Sequence, residues 1–436
     1  MNIKTVVGWS ILLIISAIPV FLWLYLGPGT ADLTDYGSIT HSLGELFALV
    51  GATMFALTFI LSTRIDFIED IFGGLDKVYI AHGILGGTAL ILLLFHPIFL
   101  VLRFIPANMP LAASYLLPSS YWEVNFGIIA LIGILGLIFV TLFTKLKYNR
   151  WKFTHEFLGL IFAVAILHIF LVKGTVASDY IFNGYYVYAS IVALIGFSGF
   201  AYSLFVKGRL MKNAVYKISN IKTTKDFFEI SMVPENKPIS YKSGQFIFVR
   251  FFNENLSNES HPFSIASKSN HNTIKIVVKK LGDYTSRMES LLVGDKVAIE
   301  GPYGRFNYKN YGHDQVWIAG GIGITPFLGM VQDLSDDKTL NDKVYLYYSA
   351  KTDTEFIGFD LLKDIASKTN KFNFTPWNSS KQGYITAGKI FDAAGKSRNK
   401  EFFLCGPPQF KNSIINDLLR SGIAESHIHE EVFDFR

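Results

Sequence analysis

The sequence predicts a multi-domain membrane protein: a six-helix transmembrane bundle, then a soluble half built from a small antiparallel β-barrel and an α/β domain with a parallel sheet. Three observations predict it. Apolar runs long enough to cross a bilayer are confined to residues 1–206. Short alternating runs with turn signals fill 213–312, and strand-like and helix-like stretches alternate over 313–436. The average hides this contrast, with half of the 436 residues apolar, 17% charged and a mean hydropathy of +0.33. That is too apolar for an ordinary soluble protein and too charged for one lying wholly in lipid. The single cysteine, Cys405, excludes a disulfide framework and an iron–sulfur cluster held by this chain. The balance of 40 Lys+Arg against 35 Asp+Glu, without a basic aromatic stripe, gives no nucleic-acid footprint.

The six apolar segments are 6–26, 42–62, 78–102, 124–144, 153–173 and 185–206. Each is about 20 residues or longer, enough for a helix to span the hydrocarbon core. Lys4 is the only early charge and no small-residue cleavage motif follows, so the first segment reads as an uncleaved helix. Lys4, Arg64, Lys77, Lys145, Lys147, Arg150, Lys152, Lys207, Arg209 and Lys212 fall on one side, and only Arg103 and Lys173 on the other. The positive-inside rule therefore places the N-terminus and the soluble half in the cytosol.

His82 and His96 lie on the third segment, and His155 and His168 on the fifth. An ionisable ring inside a membrane helix is costly and needs a reason. A lone one reads as an interhelical hydrogen bond, but here four sit on two helices that run the same way. Spacings of 14 and 13 residues correspond to rises of about 21 and 19.5 Å, which makes two levels with one histidine from each helix. A haem iron with two axial imidazoles needs that arrangement. One detail fits poorly: at about 100° per residue, 13 residues leave His155 and His168 roughly 140° apart. A π-bulge or a kink would absorb the difference.

A His-x13-His helix and a His-x12-His helix, third and fifth of six, resemble the NADPH oxidase and ferric reductase superfamily. The runs GLDK before His82 and RWKFTH before His155 are similar to its bacterial ferric reductase-like members. The resemblance implies two b-type haems, the inner held by His82 and His155, the outer by His96 and His168. Phagocyte-type oxidases carry a further histidine four residues after the outer ligand, linked to oxygen reduction; here that position is Leu100. His41, at the outer mouth of the second helix, reads either as a neighbour of the outer haem or as a solvated interfacial ring.

FFEISMV, FIFVRFF and TIKIVVKKL are strand-like, and HPFSIAS, LGDYTSRM and EGPYGRF sit at their edges. In this order the motifs resemble the ferredoxin-reductase-type flavin domain, which implies an FAD site over residues 213–312. By that resemblance His261, Pro262 and Phe263 meet the cofactor's phosphate and ring regions, and Ser264 bonds near the reactive N5. Gly282, Thr285 and Ser286 read as a helix start facing the pyrophosphate. Lys279 or Lys280 either adds charge there or faces solvent. Many members have arginine where this chain has His261; the oxidases have histidine.

In the last part, QVWIAGG, KVYLYYSA and EFFLCGPP alternate with ITPFLGMVQDL and QFKNSIINDLLRSG. Gly320, Gly321 and Gly323 follow a strand and open a helix, a turn that lets backbone approach a pyrophosphate. The resemblance places Thr325, Cys405 and Gly406 beside the nicotinamide; otherwise Cys405 reads as a small buried apolar residue. It also makes Phe433, in the tail HEEVFDFR, a cover for the flavin, unless it only closes the sheet edge. Lys351 is positioned to meet the 2′-phosphate of NADPH, though an exposed lysine after a strand is common, and NADH stays open as the donor.

Taken together, these expectations describe a transmembrane oxidoreductase. It passes electrons from cytosolic NAD(P)H through FAD and two haems to an extracytoplasmic acceptor, ferric iron or another metal chelate. Ser264, Cys405 and Phe433 are the catalytic candidates. Two readings compete: a superoxide-generating oxidase using O2, and a membrane-anchored flavin reductase serving a cytosolic partner protein. There is no EF-hand loop in the sequence.

Overall fold

The computed structural model describes residues 3–26, 33, 35–172, 184–206, 214–269, 271–312, 314–337, 342–395 and 399–431. Lys173, Lys207, Arg209, Lys212 and Phe433 lie outside them. The chain divides into a membrane-helical unit and a compact soluble unit that begins near residue 209.

In the first unit the helices are α1 (Ile3–Leu26), α2 (Tyr36–Leu61), α3 (Asp66–Phe72), α4 (Leu75–Leu102), α5 (Met109–Ser114), α6 (Trp122–Phe143), α7 (Tyr148–Glu156), α8 (Leu158–Leu171) and α9 (Gly184–Ala201). Six spans of membrane-crossing length and hydropathy result, with α7 and α8 sharing one of them. They match the six apolar segments of the sequence. The short α3 and α5 carry no periodic signal of their own. A π-turn does occur, over Tyr202–Val206 at the end of the sixth span, away from the histidines.

Close packing in this unit is set by small residues. A Cβ on Gly44 would lie 3.2 Å from the His96 carbonyl, and one on Gly51 would lie 2.9 Å from the Leu93 side chain. Gly199 brings α9 equally close to Phe59 of α2. In lipid no hydrophobic force draws helices together, so close backbone approach supplies the attraction. A core of Phe55, Phe59, Ala89, Ile134, Phe162, Ile166 and Val192 fills the centre. The buried Thr53 and Tyr188 hydroxyls bond each other at 2.7 Å. Asp35 starts α2 with a capping box completed by Ser38.

The soluble unit opens with β1 (Val215–Thr223), β2 (Phe227–Pro234), β3 (Phe246–Phe252), β4 (His261–Ser264), β5 (Ile274–Lys279), α10 (Asp283–Arg287) and β6 (Lys296–Tyr303). The six strands are antiparallel in the order β4-β3-β6-β1-β2-β5. A bridge between Ile265 and Ile276 joins the two edges, so the sheet closes on itself. Tyr216, Phe228, Ile230, Val249, Phe251 and Ile276 fill its interior.

The chain continues through β7 (Gln315–Gly320), α11 (Thr325–Asp336), β8 (Val344–Ala350), α12 (Phe359–Lys368), β9 (Phe372–Asn378), α13 (Ser379–Gln382), α14 (Ala387–Ala394), β10 (Glu401–Cys405), α15 (Pro408–Arg420) and β11 (Ile428–Glu430). All five strands are parallel, in the order β11-β10-β7-β8-β9. Helix α11 joins this sheet to the barrel. Gln332 donates to the Ala266 carbonyl at 3.0 Å, and Asp333 accepts from the Ser269 N–H at 2.9 Å. A side chain on Gly329 would collide with the Ser267 carbonyl, so the approach requires glycine there.

Candidate functional site

The four membrane histidines meet in two pairs. The rings of His82 and His155 have centres 6.1 Å apart, and those of His96 and His168 6.3 Å apart. Two imidazoles on one metal, each nitrogen about 2 Å from it and each ring centre ~1.1 Å further out, lie ~6.2 Å apart. Each pair is therefore spaced to share one metal ion.

The other ring nitrogens are all engaged. Nδ1 of His82 donates to the Thr58 carbonyl at 3.0 Å, and Nδ1 of His96 to the Gly44 carbonyl at 2.9 Å. Nδ1 of His168 donates to the Glu123 carbonyl at 2.6 Å. His155 Nδ1 lies 3.3 Å from the Thr141 hydroxyl, whose own proton goes to the Leu137 carbonyl. A carbonyl only accepts, so each ring carries its proton on Nδ1 and leaves the Nε2 lone pair for a metal. No group of three or more His, Cys, Asp or Glu capable of holding a metal occurs among the described residues.

Between His155 and His168 the helix is interrupted at Phe157, where α7 stops and α8 begins. There the Phe157 N–H bonds the Thr154 carbonyl and the Leu160 N–H bonds the Phe157 carbonyl, both three residues back. Such turns advance about 120° per residue instead of 100°, which overwinds the chain in the direction His168 requires. A π-bulge would have underwound it. Trp151 stacks on His155 from one turn earlier, with ring planes 12° apart.

At the outer end of α2, His41 Nε2 lies 3.7 Å from Glu45 on the same helix. Leu100, in the position of the oxidase histidine, packs where a side chain on Gly44 would be.

On the barrel, His261, Pro262, Phe263 and Ser264 form β4, paired in register with Val249, Phe248, Ile247 and Phe246. His261 Nε2 bonds Glu259 at 3.0 Å, and its ring lies on that of Tyr284 with centres 3.9 Å apart. Burial and the Glu259 carboxylate push the Tyr284 hydroxyl up from its ordinary value, so it stays a donor. Gly282, at φ +91°, precedes α10, a helix of only five residues. Thr285 and Ser286 do not point their hydroxyls outward; they donate to the Leu281 and Gly282 carbonyls at 2.7 Å. Lys280 is tied to Glu289 at 2.7 Å, while Lys279 is exposed. The polar atoms Arg250 Nε, Ser260 Oγ and Tyr284 OH are buried without a hydrogen-bond partner, as expected of a surface shaped for a polar ligand.

In the second sheet the glycines bring two turns into contact. A Cβ on Gly323 would lie 2.2 Å from the Cys405 carbonyl, and one on Gly406 would lie 3.2 Å from the Gly320 backbone. Gly320 also lies against Phe410, whereas Gly321, at φ +54°, has nothing within 4 Å and faces open space. Thr325 is buried and donates to the Ile322 carbonyl at 2.7 Å. Cys405 is buried, and burial, with the Glu431 carboxylate adding to it, pushes its thiol well above the usual range. Lys351 is exposed just beyond β8.

Sequence reasoning missed two residues at this mouth. The buried Lys411 donates to Glu430 and to the Glu431 carbonyl, each at 2.8 Å, and anchors the start of the tail. Glu431 itself is buried close to Gly304 and Cys405. The doubled glutamate before Phe433 was the only available sign.

Three stretches of the chain match known families. Residues 47–166 match the ferric reductase like transmembrane component, 211–307 an FAD-binding domain, and 317–415 an oxidoreductase NAD-binding domain. Among curated relatives, the ferredoxin reductase component of 3-ketosteroid-9-alpha-monooxygenase from Rhodococcus rhodochrous is 26% identical over 200 residues, covering 45% of this chain and 56% of the relative. The electron transfer component of anthranilate 1,2-dioxygenase from Acinetobacter baylyi is 30% identical over 151 residues, covering 33% and 44%. The chain thus spans about half the length of these relatives. A flavohemoglobin structure from Malassezia yamatoensis shares the fold at TM-score 0.50 and 18% identity, covering 92% of this chain and 99% of that one. A ferric-reductase membrane component followed by FAD- and NAD-binding domains is the architecture of one group, and by it the chain belongs to the ferric reductase and NADPH oxidase-like superfamily.

Proposed function

We propose that the chain carries electrons from cytosolic NAD(P)H, through FAD and two b-type haems, to an acceptor across the membrane, with ferric iron or another metal chelate as the leading candidate. The two imidazole pairs carry this reading: 6.1 and 6.3 Å between ring centres, with all four Nδ1 atoms engaged. His82 and His155 hold the inner haem, and His96 and His168 the outer. When bound, FAD takes two electrons from the nicotinamide and releases them singly to one-electron haem. Residues 1–206 form the haem domain, 213–312 the FAD domain and 313–436 the nucleotide domain. Around the flavin, His261, Phe263 and Ser264 bind and orient the ring, with Pro262, Gly282, Thr285, Ser286 and Lys279 framing it. Gly320, Gly321, Gly323, Thr325, Cys405 and Gly406 frame the coenzyme, and Phe433 covers the flavin. The excess of Lys and Arg in the loops beside Arg64, Lys77 and Arg150 supports a cytosolic soluble half. An electron leaving a negative interior gains about 2.3 kcal/mol per 100 mV.

Leu100 supports a metal chelate over oxygen, because it offers no imidazole at the outer level. The relatives favour a second reading, since their names make them reductase or electron-transfer components of oxygenases. In that reading the soluble half reduces a cytosolic partner protein.

The test is a reduced-minus-oxidised spectrum of the purified protein with NADPH or NADH, followed by ferric-chelate reduction with and without superoxide dismutase. Bis-histidine haem bands and dismutase-insensitive reduction are expected. Absence of haem bands overturns the reading in favour of the partner-reductase; loss of reduction with dismutase shows that oxygen is the acceptor.

A further inference from the structure

Three of the orphaned polar atoms in the barrel domain come from separate elements: Arg250 from β3, Ser260 from the approach to β4, and Tyr284 from α10. Strand register gathers them. Val249 pairs with His261 at the end of the β3–β4 ladder, and Arg250 and Ser260 are the next residues on the two chains. Tyr284 lies on His261, and the charges that act on its hydroxyl are Glu259 and Arg250.

A half-buried guanidinium group with an unpaired Nε is costly unless an acceptor meets it. The carboxylate that acts on the Tyr284 hydroxyl, Glu259, is bonded to His261 at 3.0 Å. The group thus offers a guanidinium, a phenol and a hydroxyl as donors. That set suits an anion with several acceptor oxygens, and a guanidinium fork matches phosphate geometry.

We propose that Arg250, with Ser260 and Tyr284, holds the diphosphate of FAD. The assignment rests on the reading that β4 lines the flavin. It gives the diphosphate a guanidinium in a chain whose β4 motif starts with histidine. Glu259 bonds His261 at 3.0 Å, and that ring meets Tyr284 with centres 3.9 Å apart and planes tilted by 38°.

The experiment uses the full-length protein stripped of flavin and titrated with FAD or riboflavin, following quenching of flavin fluorescence. Loss of one charge-assisted contact to phosphate corresponds to about a thirtyfold change in affinity. Arg250→Gln is expected to weaken FAD by that factor and to leave riboflavin, which has no phosphate, unchanged. Arg250→Lys keeps the charge and should restore most of the FAD affinity. Should Arg250→Gln fail to fold, Tyr284→Phe removes only a hydroxyl and is expected to weaken FAD about fivefold, again sparing riboflavin. FAD affinity unchanged by either substitution overturns the proposal, as does equal weakening of both flavins. A parent protein that quenches neither flavin would instead sink the underlying FAD assignment.

Discussion

Single residues decide whether the paired rings keep their spacing. A Cβ on Gly127 would lie 2.7 Å from His168 Cε1, so Gly127→Ala must push that imidazole aside. The expected result is one haem per chain instead of two by pyridine haemochrome assay, with coenzyme-driven flavin bleaching intact. At the coenzyme mouth, Gly323→Ala would put a methyl 2.2 Å from the Cys405 carbonyl. The turn must shift, at a cost of about 1–3 kcal/mol, and both melting temperature and coenzyme affinity should fall. Cys405 calls for a different measurement. Its thiol is held well above its ordinary range, so it stays protonated as pH rises through neutrality. Iodoacetamide should leave it unlabelled by mass spectrometry in the native protein at mildly alkaline pH, and label it once the chain is unfolded. The four histidines were legible in the sequence because imidazole in a membrane helix is rare. Their supports were not: three of the four Nδ1 partners are backbone carbonyls, which every residue has. Arg250 was equally silent, since one arginine in a strand has no motif.

At the scale of elements, the fifth span depends on its interruption. The turn at Phe157 overwinds the chain in the direction that brings His155 and His168 toward their separate partners. Inserting an alanine after Phe157 would restore a 14-residue spacing, but it turns His168 by about 100°. We expect loss of the outer haem and retention of the inner one, seen as a halved haem content. The small-residue seam between α2 and α4 is the second such dependence. Gly51→Leu would drive a side chain into Leu93, 2.9 Å from the glycine's Cβ position. Both haems should then be lost together, with a lower melting temperature. Span positions were readable from hydropathy, and strand order partly from alternation. The break at Phe157 was readable only as a mismatch of about 140°, because local winding leaves no mark in composition.

For the whole molecule, the asymmetry of basic loops predicts which side the soluble half occupies. Protease added to sealed right-side-out vesicles should spare that half, and the same protease on inverted vesicles should release it. Cleavage from the outside would reverse the electron path proposed above. The division into a lipid-embedded half and a water-facing half was plain from the sequence, as was the parallel sheet. How the barrel closes was not, because the Ile265–Ile276 bridge is a single pair of residues, too small to announce itself.

Helix α2 carries none of the four histidines, yet it bonds one ring of each pair. Its Thr58 and Gly44 carbonyls, 14 residues apart, steady the two α4 rings, themselves 14 residues apart. If the two pairs hold haem irons as proposed, a rigid rod bonded to a ligand of each would work like a tuning bar. If it slides or tilts, the basicity of both imidazoles changes in step, so both midpoint potentials drift together. The drop between them, which sets the downhill direction of the current, stays nearly constant. A membrane that thickens or thins around the protein would then alter how readily the wire accepts charge without reversing its slope.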